Sequence, residues 1–352
     1  MKLKSFFLLI TVLLTACVLL IFPAAAAQGA RSGIGYCLQI LIPSLYPFMV
    51  LSVFIVKCGL SDKIGRLLET PIRAVLKLPG STAAAILMSM IGGYPTGARS
   101  IAALYENGSV SERQAARMLC FCVNAGPAFV ISAVGAGFLK DPRAGALLFA
   151  SQILASLVLS LISGFTAKNE PVPAKRKTNR PVKISDALIA SASDAAHAMM
   201  NMCCFVVLFA ALISLLRLQA TEPRGAAALS ALLEVTGGCS DIAKLGAPLW
   251  VFSLAIGWGG ICVHFQVLSS VGGIKVRLAR FLFFRLLHGV LAALITGGLL
   301  QIFPVSREVF SNISAPLATG FSGSAPASAA LVGLCAAFLL CLPQKELEIK
   351  EN

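Results

Sequence analysis

Apolar segments long enough to cross a bilayer recur along the whole chain, and they constrain its fold more than any other feature. A transmembrane α-helix needs about 20 predominantly apolar residues, and residues 6–27 already provide such a run. Only 12% of the residues are charged and the mean hydropathy is +0.86, whereas a soluble domain averages about 25% charged residues. Further segments able to span are 36–56, 117–138, 144–166, 196–216, 247–268, 281–303 and 325–342. The sequence therefore predicts an all-α integral membrane protein, a polytopic bundle of about eight spanning helices.

The first segment is predicted to be a retained N-terminal transmembrane helix within residues 1–31. It starts with basic residues and is followed by small ones, which is also the arrangement of a signal peptide. Residues 14–17 resemble a lipoprotein cleavage site, but an apolar stretch follows where a polar mature sequence should begin. We therefore favour a retained helix, and cleavage is the alternative.

A glycine-rich stretch, GGYPTGARS at 92–100, has nearly the spacing of a phosphate-binding P-loop. Ala98 occupies the position of the lysine that must reach the terminal phosphates. The preceding residues are rich in Ala, Leu and Met, which favour a helix and not the strand that precedes a P-loop. The stretch is therefore not a nucleotide site, and its glycines need another explanation.

Positive charge supplies that explanation for two apolar pieces that are too interrupted to span as single helices. The piece 81–105 is broken by GGYPTG, and the piece 225–246 is broken at 236–238. If both are re-entrant hairpins and the N-terminus is cytoplasmic, 22 of the 29 Lys and Arg residues lie inside and 7 outside. If the first piece crosses instead, the split is 13 to 16. Because Lys and Arg gather on cytoplasmic loops, we predict two re-entrant hairpins and cytoplasmic N- and C-termini.

A basic, proline-containing segment at 168–183 is predicted to be a cytoplasmic linker between two similar halves. At an offset of 141 residues the pattern GxxxIAxL occurs at Gly97 and again at Gly238. The charge-derived topology orients the two halves oppositely, which predicts inverted repeats, a signature of secondary transporters. The predicted division after the N-terminal helix is a first repeat at 32–167, the linker, a second repeat at 184–303, and a C-terminal helix and tail at 304–352.

Enzymatic and nucleic-acid functions are not supported by the residue pattern. No nucleophile–base pair, metal cluster or cofactor fingerprint occurs at a usable spacing, and the eleven cysteines form no CxxC pair. The basic residues flank apolar segments and do not line one polar face. We therefore expect no enzyme activity, no cofactor, no metal and no nucleic-acid partner.

Five motifs occur in an order that is familiar from a known family. They are IPSLYPFMVLS (42–52), GGYPTGARS (92–100), NAGPAF (124–129), EVTGG (234–238) and GWGGICVHFQ (257–266). As an ordered set over about residues 5 to 342, they resemble the YlbJ-type sporulation integral membrane proteins, within the wider nucleoside-recognition "Gate" domain family.

The resemblance implies a membrane transport role during endospore formation. It implies a small anionic cargo, a dipicolinate-like dicarboxylate moved from the mother cell toward the forespore, in the bacterial cell membrane or the outer forespore membrane. Besides the lipid bilayer, homo-oligomers and other sporulation membrane proteins are open as partners. The alternative function is a non-transporting scaffold or accessory subunit of a sporulation complex.

The two breaks and two later motifs supply the predicted substrate-binding residues. Arg99 suits bidentate contact with a carboxylate, although it is alternatively an interfacial anchor. Glu234 is either a coupling carboxylate or an exposed residue at the outer rim, and Asn124 either binds substrate or repairs the kink at Pro127. His264 lines the pathway or packs between helices. The full predicted set is Gly93, Tyr94, Thr96, Gly97, Arg99, Asn124, Glu234, Thr236, Gly237, Gly238, His264 and Gln266. SERQ at 111–114 predicts a capping box at the start of a helix.

Overall fold

The computed structural model describes residues 3–106, 108–167, 183–219, 222–271 and 273–304, which are helical and contain no β-strand. The helices are α1 (Leu3–Ile21), α2 (Pro23–Tyr36), α3 (Ile42–Lys57), α4 (Leu60–Leu67), α5 (Thr82–Ile91), α6 (Tyr94–Glu106), α7 (Glu112–Met118), α8 (Ala128–Leu139, wound as a π-helix), α9 (Pro142–Phe165), α10 (Ile184–Leu216), α11 (Pro223–Leu233), α12 (Val235–Lys244), α13 (Leu249–Trp258), α14 (Gly260–Ser270) and α15 (Leu278–Ile302). These helices belong to one compact unit, Met1–Val305. Most of the predicted linker at 168–183 and all of the predicted helix at 325–342 lie outside the described residues.

Five helices in the described ranges are long and apolar enough to cross a membrane: Pro23–Ile55, α9, α10, Leu249–Ser270 and α15. Large apolar side chains are exposed on their outer faces, among them Phe165 at 81% and Leu294 at 67%. Contiguous exposed apolar surface of this kind fits contact with lipid. The prediction of a helical integral membrane protein is confirmed.

The first two predicted segments have different boundaries in the structure. Helix α1 ends at Ile21, and Pro23 occupies the first position of α2, where its missing N–H costs no hydrogen bond. From there one continuous helix runs through a π-helical turn at Cys37–Leu41 into α3. The predicted boundary between residues 31 and 32 therefore falls inside α2.

The predicted continuous helix at 117–138 is wrong. Helix α7 ends at Met118, and residues 119–126 form turns and irregular backbone before the helical conformation resumes at Pro127. Pro127 lacks the N–H that a continuous helix would need, and the adjacent Gly126 is a poor helix former. The sequence indicated a kink here, and the structure has a complete interruption.

The capping box at 111–114 is confirmed. The Ser111 hydroxyl accepts a hydrogen bond from the Gln114 N–H at 3.1 Å, and the Gln114 side chain accepts one from the Ser111 N–H at 2.9 Å. Two amides at the start of α7 are thereby satisfied, which fixes the point at which this helix begins.

Both halves of the described chain present the same order of elements. The first half contains α3, the pair α5–α6, the interrupted pair α7–α8, and the long helix α9. The second half contains α10, the pair α11–α12, the interrupted pair α13–α14, and the long helix α15. Each half therefore carries two interruptions, one within a short helix pair and one within the following helix pair.

Candidate solute-binding site

The short helix pairs break at positions that correspond in the two halves. Helix α5 gives way to α6 at Gly93, whose φ of +83° is readily adopted only by glycine. Helix α11 gives way to α12 at Glu234, which is in an extended conformation. Gly93 and Glu234 are 141 residues apart, which is the offset between the two GxxxIAxL patterns. We call the two pairs the first hairpin and the second hairpin.

Each hairpin break lies against the interruption in the helix pair that follows it. A Cβ atom added to Gly126 would lie 3.0 Å from the Gly93 nitrogen. A Cβ atom added to Gly260 would lie 3.1 Å from the Glu234 Cα atom. The Tyr94 hydroxyl donates to the Ile256 carbonyl at 2.5 Å and so joins the first hairpin to α13. The four interruptions therefore meet in the interior of the protein.

A cavity lies between the two hairpin breaks, and we call it the inner cavity. Its cavity volume is about 30 Å³, room for about two water molecules. Its predicted site residues are Gly93, Tyr94, Glu234, Thr236 and Gln266. The other lining side chains are mainly apolar, such as Leu41, Phe129, Met202 and Val263.

A second and larger space, the polar cleft, is bordered by α3, α6 and α10. Its cavity volume is about 430 Å³, which is within the range of small-molecule sites, and Thr96 and Arg99 both line it. Charged side chains of both signs surround it, including the Lys57–Asp194 ion pair, whose Nζ and Oδ2 atoms are 2.9 Å apart. This pair connects α3 to α10.

A smaller hollow, the neck, lies between the polar cleft and the inner cavity. It shares Arg99 and Asn201 with the polar cleft, and Met202 and Gln266 with the inner cavity. The remaining polar side chains in its wall are Ser269 and Ser270. Cleft, neck and inner cavity are therefore neighbouring spaces with shared walls.

Glu234 is buried, with 2% of its surface exposed, so the alternative of an exposed residue at the rim is wrong. Its Oε1 accepts from the Thr236 N–H at 2.8 Å, and its Oε2 accepts from the Gly237 N–H at 2.6 Å. These amides are the unsatisfied donors of the α12 N-terminus, where a negative charge is favoured. The second hairpin thus has the Glu234 carboxylate at its break, and the first hairpin has Gly93 at the corresponding position.

Arg99 lies in the wall of both the polar cleft and the neck. Its side chain is exposed and has no hydrogen-bond or ion-pair partner among the described residues. An unpaired guanidinium bordering a polar space retains all its donors for a ligand.

The remaining predicted residues lie beside these spaces. Asn124 is fully buried, and its amide nitrogen donates to the Ser156 hydroxyl at 3.2 Å and to the Phe121 carbonyl at 3.0 Å. His264 Nε2 is 3.0 Å from the Trp258 carbonyl, and the His264 ring packs edge-on against Trp258 and Phe281. Gly97 and Gly238 pack against the preceding helix of their own hairpins. Asn124 and His264 thus have the contacts of their structural alternatives, kink repair and interhelical packing.

Sequence reasoning missed Arg285, which is fully buried in α15. Its Nη1 donates to the Val123 carbonyl in the interruption between α7 and α8, and its Nη2 lies 2.7 Å from His288 Nδ1. Because arginine can only donate, His288 Nδ1 accepts, and Nε2 donates to the Gln152 carbonyl at 3.1 Å. A charge inside the apolar run 281–303 was the available signal. Asn201, Ser269 and Ser270 were also missed, and no sequence pattern marks them.

The five long apolar helices in the described ranges and their exposed apolar side chains define the chain as a helical, multi-pass integral membrane protein. It is similar to the sporulation integral membrane protein YlbJ of Bacillus subtilis (strain 168), with 26% identity over 330 residues that cover 82% of this chain and 80% of that protein. The similarity confirms the resemblance to YlbJ-type proteins that the ordered motifs indicated. No family model matches the sequence. No solved structure matches it either.

Proposed function

We propose that this protein is a transporter that moves a small anionic solute across a membrane during endospore formation. The observation that carries the proposal is the row of neighbouring spaces, polar cleft, neck and inner cavity, which lie between the charged side chains and the two hairpin breaks. The resemblance to YlbJ-type proteins suggests a dipicolinate-like dicarboxylate as the solute. It also suggests the outer forespore membrane as the location and the mother cell as the source.

The proposed architecture has two re-entrant hairpins arranged as inverted repeats. At 1.5 Å per residue, α5, α6, α11 and α12 are each about 15–20 Å long, whereas the hydrocarbon core is about 30 Å thick. Each helix alone therefore reaches only part of the way across. The two helices of each hairpin also pack side by side, with Gly97 against Ser89 and Gly238 against Ala231, which supports a return at the break. Non-helical backbone at that depth is tolerated where it lines a cavity or is buried in protein, as both breaks do here. The interrupted pairs α7–α8 and α13–α14 count among the roughly eight crossings that we propose.

Cysteine accessibility tests this architecture. In a cysteine-free background, we expect Ser109→Cys, in the turn after the first hairpin, and Thr178→Cys, in the linker, to be labelled from the same, cytoplasmic side. Glu222→Cys, just before the second hairpin, should be labelled only from the opposite side. Labelling of positions 109 and 178 from opposite sides would show that the first hairpin crosses the membrane, and the inverted-repeat arrangement would be wrong.

The neck has the chemistry of a carboxylate site. Arg99 supplies a planar pair of donors that matches a carboxylate in geometry as well as charge. Asn201, Ser269 and Ser270 add neutral hydrogen-bonding groups, and no Asp or Glu is among the described residues in its wall. The apolar side chains of Pro95 and Phe205 lie in the same wall. One carboxylate and the ring of an aromatic dicarboxylate would therefore each find a partner in this wall.

Arg99 substitution tests the anion site. Arg99→Lys keeps the charge but loses the paired geometry, and Arg99→Gln loses both, so we expect affinity for dipicolinate to fall in that order. Loss of a hydrogen bond to a charged group costs about 1.5–3 kcal/mol, which corresponds to roughly a tenfold to hundredfold weaker Kd. The measurement is dipicolinate binding to purified protein in detergent, together with uptake into vesicles.

Arg224→Gln, at the exposed start of α11, is the matched control and should bind like the unmodified protein. Unchanged affinity in Arg99→Gln would make Arg99 an interfacial anchor. If the unmodified protein neither binds dipicolinate nor transports it into vesicles, the scaffold alternative is favoured.

A further inference from the structure

We propose that Glu234 couples transport to protons: its protonation releases the α12 amides, which then bind the carboxylate of the solute in its place. This inference rests on the proposed transport function and adds its driving ion. It assigns a second carboxylate site to the inner cavity, distinct from the Arg99 site in the neck. In the structure, the side-chain carboxylate of Glu234 occupies that site.

The geometry around Glu234 is that of an occupied carboxylate site. Both of its oxygens are hydrogen-bonded, one to the Thr236 amide and one to the Gly237 amide. The carboxylate also lies close to the backbone at Gly237, since a Cβ atom there would be 3.2 Å from Oε2 and would require a small shift of this oxygen. The amides at this helix start therefore hold a carboxylate directly, without a bridging group.

The charges around Glu234 decide whether a second anion can enter the inner cavity. No Lys or Arg is among the described residues that line the inner cavity. The titratable groups that face or interact with Glu234 from its own and neighbouring elements are Tyr36, Cys37, Tyr94, Cys239, Asp241 and Cys262. Asp241 is itself paired with Arg217 and Lys244. An anion entering from the neck would consequently meet an unneutralised like charge in a medium that screens it poorly.

A second polar group in the same cavity has capacity for a ligand. Gln266 is 4% exposed and lines both the neck and the inner cavity. Its amide nitrogen donates to the Cys262 sulfur at 3.3 Å, a weak acceptor, and its amide oxygen has no partner among the described residues. The amide therefore lies between the two carboxylate sites with a free donor and a free acceptor.

The coupling step is a proton transfer that balances. A proton from the compartment with more protons adds to one oxygen of Glu234, which becomes a neutral acid and a weaker acceptor for the two amides. The solute carboxylate then replaces it at the α12 N-terminus without facing a like charge. After the solute leaves on the other side, the proton leaves there too and Glu234 returns to the amides. One proton moves with each solute molecule, in the same direction.

The test is dipicolinate uptake into vesicles that contain purified protein, with the membrane potential clamped and a pH gradient imposed. For one proton per solute molecule, we expect the unmodified protein to accumulate dipicolinate up to about tenfold for each pH unit. In Glu234→Gln, the ratio of uptake with the gradient to uptake without it should fall to about one. Glu222→Gln, which removes an exposed carboxylate at the start of the same hairpin, should keep the unmodified ratio.

Gradient-driven accumulation in Glu234→Gln would overturn the proposal, as would its loss in Glu222→Gln. If Glu234→Gln takes up no dipicolinate at all, Glu234→Asp decides: gradient dependence in this titratable variant supports the proposal, and its absence overturns it. Gradient-independent uptake by the unmodified protein would overturn the coupling and leave the transport function standing. No uptake by the unmodified protein would overturn both.

Discussion

Gly97→Val and Gly238→Val are each expected to prevent folding, because a side chain at either position would enter backbone that cannot move away. A Cβ atom on Gly97 would overlap the Cys122 carbonyl oxygen and lie 2.8 Å from the Ser89 Cβ atom. A Cβ atom on Gly238 would overlap the Ala231 Cα atom and lie 2.7 Å from its nitrogen. Overpacking a close-packed interior costs about 1–3 kcal/mol when the surroundings can adjust, and more when backbone atoms are in the way. We expect little folded protein after membrane extraction, measured by size-exclusion chromatography in detergent.

Gly297→Val is the matched control for these two variants. Gly297 also lies within a helix, but an added Cβ atom there meets no other atom within 4 Å. It should therefore give as much folded protein as the unmodified sequence. Gly108→Ala is unsuitable as a control because Gly108 has a φ of +69°, and alanine would be strained there. Normal yields from Gly97→Val and Gly238→Val would mean that the two helices of each hairpin do not pack as closely as described.

The repeated GxxxIAxL pattern predicted the position of the hairpin glycines but not the reason for them. The sequence predicts Gly97 and Gly238 at the breaks, in a turn that requires the positive φ that glycine adopts readily. In the structure both glycines lie one helical turn beyond the break, and each allows its helix to approach the preceding one. Gly93 is the residue with the positive φ. A glycine motif shows that space or flexibility is required, and only the fold distinguishes between them.

Apolar periodicity also predicted the helical membrane class but could not resolve the interruptions. The run at 117–138 has the apolar composition of a spanning helix; Gly126 and Pro127 indicated a kink, and the full break at 119–126 also involves tertiary contacts. Gly126 packs against Gly93, and Arg285 binds the Val123 carbonyl. Partners such as these are more than 30 residues away in the sequence, so no local pattern contains them. The same applies to the neck, which brings residues from α6, α10 and α14 together.

Arg285→Lys is expected to destabilise the protein by about 2.5–6 kcal/mol, although it keeps the positive charge. The guanidinium of Arg285 reaches two acceptors at once, the Val123 carbonyl and His288 Nδ1. A lysine ammonium is a compact point charge and cannot take up this forked arrangement. One charge-assisted hydrogen bond would be lost, at about 1.5–3 kcal/mol, and one buried acceptor would be left unsatisfied, at about 1–3 kcal/mol. The free energy of unfolding in detergent micelles is the measurement.

Arg277→Lys, at the exposed start of the same helix, is the control and should unfold like the unmodified protein. Arg277 is exposed and lies outside the buried contact. A large difference in the free energy of unfolding between the two variants therefore reports on the buried site of Arg285. Because Val123 belongs to the interruption that packs on the first hairpin, loss of this contact should also weaken dipicolinate binding in any Arg285→Lys protein that folds. Equal stability of the two variants would mean that Arg285 does not hold the interruption in place. The close approach of Gly126 to Gly93 would then have to be maintained by packing alone.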